Sequence, residues 1–304
     1  MRVAALDCGT NSVRLLIADV TGDTLADVAR RMRIVRLGEG VDATGRLAPA
    51  AIERTRQALL GYAAEIAERG ATRVRMVATS ASRDASNAAD FRTMVRGVLG
   101  IDPEVVTGDE EARLSFSGAV RGLDGEPPYL VVDIGGGSTE FVTGSAAAEH
   151  AISVDIGCVR MTERHLHTDP PAGAEIAAAT ADITAAVDEA LAAVPGRDAR
   201  TLVGLAGSVT TVTALALGLP GYDPERIQHA RIGYDEVATV TADLLAMTVA
   251  ERRRLPVMHP GRADVIGAGA LILRTIMERS AHRSVVASEH DILDGIVFGL
   301  TGSD

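Results

Sequence analysis

Several features are scarce or missing in this 304-residue sequence, and each absence narrows the range of functions. There is no Trp, and aromatic residues make up only 3% of the chain. Proteins that hold single-stranded nucleic acid stack bases on aromatic side chains, so this class is disfavoured. The net charge of −11 also argues against nucleic acid as a partner, because neutralising many phosphates normally needs a basic surface. A phosphate ligand would have to be held by local basic side chains, backbone N–H groups and metal ions.

Cysteine is also scarce, and the pair Cys8 and Cys158 lacks metal-ligand spacing, which is typical of reduced thiols in a cytoplasmic protein. No apolar stretch reaches the roughly 18 residues of a membrane helix, and no signal-peptide pattern opens the chain. We therefore expect a cytoplasmic protein without a membrane partner. The G-x-x-x-x-G-K-S/T loop of nucleoside triphosphatases is missing. Four histidines also lack metal-ligand spacing and are interpreted as non-ligands: His165, His167, His229 and His259.

The sequence does contain a repeated α/β pattern. A first strand runs into residues 7–12 (D-C-G-T-N-S) and on to a second strand, and the same order recurs around residues 133–138 (D-I-G-G-G-S). The Gly- and Pro-rich stretch 122–128 is the best linker between the two copies. We predict an internal duplication, with a first domain at 1–124, a second at 125–304 and a cleft between them. A helix at 288–304 is expected to pack back on the first domain.

Both repeated loops have a composition suited to anions. Glycine and small hydroxyl residues let the backbone approach a phosphate closely, and an aspartate at a strand end can hold a hard cation. The first loop alone is equally compatible with an ordinary hairpin, and a third turn at 204–210 (G-L-A-G-S-V-T) with a simple strand-to-helix connection or an anion site. The candidate phosphate-binding residues are Gly9, Thr10, Asn11, Ser12, Gly135, Gly136, Gly137, Ser138, Thr139, Gly207 and Ser208.

Two charged residues outside these loops are candidates for chemistry. Glu111 opens an apolar helical stretch, where it is either a general base for an attacking water or a carboxylate that favours the helix dipole. Arg83 lies among small residues, where its guanidinium could bind phosphate oxygens or simply cap a carbonyl at the surface. Weaker arginine candidates are Arg36, Arg113, Arg160 and Arg262.

Taken in order, five motifs resemble the exopolyphosphatase / guanosine-pentaphosphate phosphohydrolase (Ppx/GppA) family in its short, two-domain form. They are D-x-G-T-N-S at 7–12, T-S-A-x-R-x-A-x-N at 79–87, G-x-E-E-A-R-L at 108–114, D-I-G-G-G-S-T-E at 133–140 and G-x-A-G-S-x-T at 204–210. The resemblance spans nearly the whole chain. It implies an actin-like (ribonuclease H-like) α/β fold of two domains.

The resemblance also implies an activity. Members remove terminal phosphate from inorganic polyphosphate, from pppGpp, or from both, using Mg²⁺ or Mn²⁺, with K⁺ as a further candidate ion. It implies Glu111 as the catalytic base, Arg83 as a phosphate contact, and Asp7, Asp133 and Glu140 as the metal-binding set. A homodimer is expected. The alternatives are an actin-like ATPase or kinase, which shares paired D-x-G loops, and a non-catalytic sensor of (p)ppGpp or polyphosphate.

Overall fold

A computed structural model describes residues 1–22 and 24–301, and the chain divides into two compact units. Unit 1 comprises Met1–Gly118 together with Ile292–Asp304, and unit 2 comprises Ala119–Asp291. The chain passes from unit 1 to unit 2 between Gly118 and Ala119, ahead of the predicted domain boundary after residue 124. Among the described residues, no helix combines the length and the apolar character that crossing a membrane requires.

Unit 1 contains a sheet whose strands lie in the order β3-β2-β1-β4-β5. Its first three strands are joined as antiparallel neighbours, and β4 and β5 continue the sheet in parallel. The apolar stretch of β1 is buried on both faces, because Ala4 and Leu6 pack into one cluster while Val3 and Ala5 pack into another. The strands are β1 (Arg2–Cys8), β2 (Ser12–Thr21), β3 (Thr24–Ile34), β4 (Arg73–Ala78) and β5 (Glu104–Val105).

Helices follow the strands of unit 1, and two of them end at glycine residues. Gly70 and Gly100 each adopt a left-handed conformation with φ of 70°, which ends a helix without a Cβ clash. The helices are α1 (Val41–Thr44), α2 (Pro49–Arg69), α3 (Ser80–Asp84), α4 (Ala88–Leu99) and α5 (Gly108–Ala119).

Unit 2 opens in the same way as unit 1. Its first two strands form an antiparallel hairpin, the third continues it, and the fourth is parallel to the first. The sheet order is β10-β11-β9-β6-β7-β8. The strands are β6 (Tyr129–Ile134), β7 (Thr139–Gly144), β8 (Ala148–Val154), β9 (Thr201–Leu205), β10 (Arg231–Gly233) and β11 (Ser284–Ala287).

The helices of unit 2 surround one apolar core. Residues of α7, α8, α10 and α12 supply most of it, including the fully buried Ile183, Val212, Val237 and Ile272. The helices are α6 (Cys158–His165), α7 (Gly173–Ala193), α8 (Ala206–Ala216), α9 (Pro224–Ile227), α10 (Tyr234–Ala246), α11 (Val249–Arg252) and α12 (Ile266–Ser280), with a 3-10 turn at Gly196–Asp198.

The chain ends in helix α13 (Ile292–Thr301), which packs on unit 1 against the same cluster as Val3, Ala5 and Leu16. The sequence predicts a start at 288, but residues 288–291 are not helical. Ser288 Oγ donates to His290 O and accepts from His290 N, and this local turn occupies the backbone groups that a helix would need. Residues 302–304 of the predicted helix lie outside the described residues.

Candidate active site

The two D-x-G loops have the same backbone turn. In unit 1 Gly9 N donates to Ser12 O at 3.0 Å, and in unit 2 Gly135 N donates to Ser138 O at 3.0 Å. In each case an aspartate is the next-to-last residue of the first strand, and a second antiparallel strand follows the loop. The repeated strand–loop–strand pattern read from the sequence is therefore present at atomic detail.

Asp7, close to the end of β1, forms a salt bridge with an arginine. Across the antiparallel ladder it lies opposite Arg14. Arg14 donates from Nε and Nη2 to Asp7 Oδ2 at 2.9 and 2.7 Å, and both side chains are largely buried. Sequence reasoning did not single out Arg14. A hairpin closed by a four-residue turn would have placed residues 7 and 14 opposite each other, so the register was the signal that could have found it.

Asp133 faces an acid where Asp7 faces a base. The residue opposite Asp133 is Glu140, and both are buried. Ser153 donates a hydrogen bond to Glu140 Oε1 at 2.7 Å. Like charges at directly opposed positions of a sheet destabilise it, so this pair suits a neutralising cation.

The second loop's acidic pair is compatible with magnesium. Mg²⁺ binds through one or two carboxylates plus substrate phosphates, so Asp133 and Glu140 provide a sufficient set of hard oxygen donors. Among the described residues, no group of three or more His, Cys, Asp or Glu side chains forms a ligand cluster. Asp7 is a weaker donor than the other two acids, because Arg14 already binds its carboxylate.

The start of α6 donates hydrogen bonds to the carbonyl groups of the second loop. Cys158 N donates to Gly135 O at 3.0 Å, Val159 N donates to Gly136 O at 2.9 Å, and Arg160 Nε donates to Gly137 O at 2.6 Å. A Cβ on Gly157 would lie 2.4 Å from Gly136 O, so only glycine permits this approach. Helix α6 therefore fixes the conformation of the glycine loop.

The side chain of Thr139, a phosphate-binding candidate, already forms a hydrogen bond with the backbone. Its hydroxyl donates to Ile156 O at 2.5 Å, and the residue is fully buried. A comparable bond in unit 1 joins Thr10 Oγ1 to Ser80 Oγ at 2.8 Å, which ties the first loop to α3. Both hydroxyls thus brace their loops.

Glu111 and Arg83 are brought together in unit 1. Glu111 lies in the first turn of α5, is largely buried, and accepts a hydrogen bond on Oε2 from Arg83 Nη1 at 3.1 Å. The same Arg83 nitrogen donates to Val106 O at 3.1 Å, just before α5. The guanidinium therefore orients the Glu111 carboxylate and ties it to the start of its helix.

Most of the chain matches the sequence profile of a known protein family. The profile of the Ppx/GppA phosphatase family matches residues 16–303. The chain belongs to this family.

Relatives of this Ppx/GppA chain extend over its full length. Exopolyphosphatase 2 of Mycobacterium tuberculosis is 50% identical, with 99% of each chain covered. Among solved structures, an exopolyphosphatase-like protein is 44% identical with a TM-score of 0.96, covering 100% of this chain and 99% of its own. A Ppx/GppA family member from Aquifex aeolicus is 32% identical with a TM-score of 0.84, covering 100% and 98%. The two-unit α/β fold expected from the resemblance is confirmed.

An arginine that sequence analysis named as a weaker candidate, Arg262, packs on the third glycine-rich turn of this Ppx/GppA chain. Arg262 packs so closely on Gly207 that a Cβ there would lie 2.0 Å from Arg262 Nη2. Its Nη1 donates to Thr211 Oγ1 at 3.0 Å. The guanidinium adds to the positive potential at the N-terminal end of α8, a place that favours an anion. The location of Arg262 depends on irregular turns before α12, which no sequence periodicity reveals.

The two cysteines of this Ppx/GppA chain are buried. Burial raises the pKa of the Cys8 thiol, and nearby Asp7 raises it further. Burial also raises the pKa of Cys158, although Ser208 and Arg262 oppose that shift. A thiol that keeps its proton is a poor nucleophile, so neither cysteine is a candidate nucleophile.

Proposed function

We propose that this protein is an exopolyphosphatase, which hydrolyses the terminal phosphoanhydride bond of inorganic polyphosphate and releases phosphate. The observation that carries the proposal is the Arg83–Glu111 pair, which presents an oriented carboxylate in a chain otherwise built to hold phosphate. The full-length similarity to exopolyphosphatase 2 supports polyphosphate as the substrate. A chain of repeated phosphoryl units carries no nucleobase to be recognised, which is consistent with the scarcity of aromatic side chains.

Glu111 is the proposed general base. Its carboxylate accepts a proton from a water molecule as the water oxygen attacks the terminal phosphorus. The phosphoanhydride bond breaks, and the shortened chain leaves with the bridging oxygen. Arg83 keeps the carboxylate oriented throughout, since its Nη1 atom bonds both Glu111 and Val106.

The glycine loops are proposed to hold the transferred phosphoryl group. Their backbone N–H groups, together with Arg262 at the start of α8, place positive potential where negative charge develops. Asp133 and Glu140 would hold Mg²⁺ or Mn²⁺. When bound, the ion supplies charge neutralisation of the terminal phosphoryl group.

The decisive variant is Glu111→Gln, which keeps the shape of the side chain and removes the base. General-base catalysis contributes roughly 10²- to 10⁴-fold, and a loss of that size in kcat is expected. Glu110→Gln is the matched control, because Glu110 is the adjacent residue and 49% of its side chain is exposed, against 11% for Glu111. A Glu111→Gln enzyme with wild-type phosphate release would sink the assignment.

Substrate choice is tested by phosphate-release kinetics on short polyphosphate, long polyphosphate, pppGpp and ATP, each with and without Mg²⁺. We expect kcat/KM to be highest for polyphosphate. A higher value for pppGpp would assign the chain to pppGpp 5′-phosphate hydrolysis, and a higher value for ATP would favour an ATPase or kinase. Binding of polyphosphate without turnover would identify a sensor. The homodimer, the cytoplasmic location and a K⁺ requirement remain predictions.

A further inference from the structure

The C-terminal helix α13 contacts the helix that carries Glu111. The contact is made at Gly295, where a Cβ would lie 2.1 Å from Leu114 O and 2.8 Å from Leu114 C. Real Cβ atoms essentially never approach another heavy atom closer than 3.0 Å. Only glycine at this position allows α13 to pack directly on the backbone of α5.

A second connection leads from α13 to the same carboxylate. Ile292 and Leu293 of α13 pack in one buried cluster with Val106, the residue just before α5 begins to form. The carbonyl of Val106 accepts the hydrogen bond from Arg83 Nη1, and that nitrogen also bonds Glu111. Helix α13 therefore supports α5 at Leu114 and the Glu111 partner through Val106.

The position of α13 is itself fixed next to the contact. Asp294, the neighbour of Gly295, is buried and accepts hydrogen bonds from Arg30 of β3. Arg30 Nη2 lies 2.7 Å from Asp294 Oδ1, and Arg30 Nη1 lies 3.2 Å from Oδ2. This bidentate pair anchors the first turn of α13 to the sheet, so the helix cannot slide freely past α5.

We propose that α13 is a positioning element for the general base, with Gly295 as its contact point on α5. Leu114 is three residues from Glu111 and so lies one helical turn along the same helix. An alanine at 295 must push Leu114 by about 1 Å, and a misplacement of that size is enough to cost about 100-fold in rate. This inference rests on the proposed role of Glu111.

The test is the Gly295→Ala enzyme, assayed on polyphosphate. We expect kcat to fall by roughly 10- to 100-fold with little change in KM, because the phosphate-holding loops are untouched. Gly299→Ala is the matched control in the same helix: its Cβ would meet only the end of the Arg75 side chain, at 3.0 Å, and that flexible group can move. Gly299→Ala should therefore keep the wild-type kcat.

A second control separates positioning from general loss of stability. Leu59→Ala removes a fully buried side chain of α2, which belongs to a different cluster from α13, Val106 and Leu114. It should lower the melting temperature and keep kcat at an assay temperature well below melting. Wild-type kcat in Gly295→Ala, or an equal loss of kcat in Leu59→Ala, overturns the inference.

Two further results keep the outcome clear. If Gly295→Ala is insoluble, Asp294→Asn replaces it, since it weakens the Arg30 anchor at constant side-chain size; reduced kcat at unchanged KM supports positioning, and wild-type kcat overturns it. The Glu111→Gln enzyme separates a failure of the proposed base from a failure of the role proposed for α13. An active Glu111→Gln enzyme removes the proposed base, whereas an inactive one beside a fully active Gly295→Ala removes only the role of α13.

Discussion

At the scale of single residues, the two halves of the chain share a backbone turn and differ in charge. Arg14 and Glu140 occupy equivalent ladder positions, opposite Asp7 and Asp133. Asp7 therefore lies opposite a base and Asp133 opposite a second acid. Two acids at opposed positions supply the oxygen donors that a divalent cation prefers, which is why a cation is expected at the second loop.

Glu140→Gln tests this charge arrangement. Losing one of two opposed acids should raise the Mg²⁺ concentration for half-maximal activity about tenfold, as expected if that carboxylate contributes about 1.4 kcal/mol to metal binding. The same change should raise the melting temperature in chelator, because the repulsion between two buried acids is removed. A Mg²⁺ titration and a thermal melt measure the two effects. An unchanged titration together with a lower melting temperature would contradict the arrangement.

Arg14→Gln addresses the other loop. It leaves a largely buried Asp7 carboxylate without its guanidinium, and breaking such a pair typically costs about 3 kcal/mol of unfolding free energy. Urea unfolding gives the value. The control is Arg2→Gln, which breaks the exposed Arg2–Asp19 pair on the same two strands and should change little. Equal losses in the two variants would show that burial of the Asp7 pair is unimportant.

The cysteines give a pH prediction. Because burial raises the pKa of both thiols, a thiol reagent at pH 8 should not react quickly with the native protein, and should react with both cysteines once the chain is unfolded in guanidinium. In the native state the thiols lose their protons at a higher pH than they do in the unfolded chain. The free energy of unfolding should therefore decrease as pH rises past about 8.5, where unfolded thiols ionise. Rapid labelling of native protein would contradict this.

At the scale of elements, helices act mainly as supports for loops. Helix α6 donates backbone hydrogen bonds to the carbonyls of the second glycine loop, and α3 braces the first loop through Ser80. The binding loops are short and glycine-rich, so their conformation depends on these neighbours. Changes at the supports should consequently appear as changes in substrate binding.

Gly157→Ala is the test at this scale. Its Cβ would collide with Gly136 at 2.4 Å, which displaces either α6 or the loop. KM for polyphosphate should rise about tenfold, equivalent to 1.4 kcal/mol of lost binding. Gly173→Ala is the control, because nothing lies within 4 Å of a Cβ at that helical glycine, and alanine there should be neutral or slightly stabilising. An unchanged KM in Gly157→Ala would mean that the loop tolerates the shift.

Much of the element pattern can be read from the sequence, and the elements that cannot be read share a cause. Helices α2, α4 and α10 follow long apolar periodicity, and two of them end at glycines. The short strands β10 and β11 offer no such signal. Three- and four-residue strands carry almost no periodicity. β11 is a strand because it pairs with β9, and β10 is a strand because it pairs in turn with β11.

At the scale of the whole molecule, the charge is opposite to what a polyanion binder would suggest. The chain has 41 Asp and Glu residues against 30 basic ones. Long-range electrostatics therefore repel polyphosphate, and binding relies on the local cations and on an ion held by the acids. The metal is consequently expected to matter for binding as well as for chemistry.

Metal removal tests that expectation. Chelation with EDTA should reduce phosphate release by at least about 100-fold, a loss of roughly 2.7 kcal/mol of transition-state stabilisation, and added Mg²⁺ should restore it. Equilibrium binding of polyphosphate to the Glu111→Gln protein, measured with and without Mg²⁺, gives a readout that does not depend on turnover. Undiminished activity and binding in EDTA would rule out the metal requirement.

Sequence alone determined the parts that depend on neighbouring residues: the hairpins, the glycine turns, the helix stops and the order of motifs that identifies the family. Tertiary structure decided the contacts between distant residues, namely Arg83 with Glu111, Arg262 over Gly207, and Gly295 against Leu114. Local patterns follow from backbone sterics and periodicity within a few residues. Distant contacts depend on how whole elements pack, and no repeat or spacing in the chain encodes that packing in a readable form.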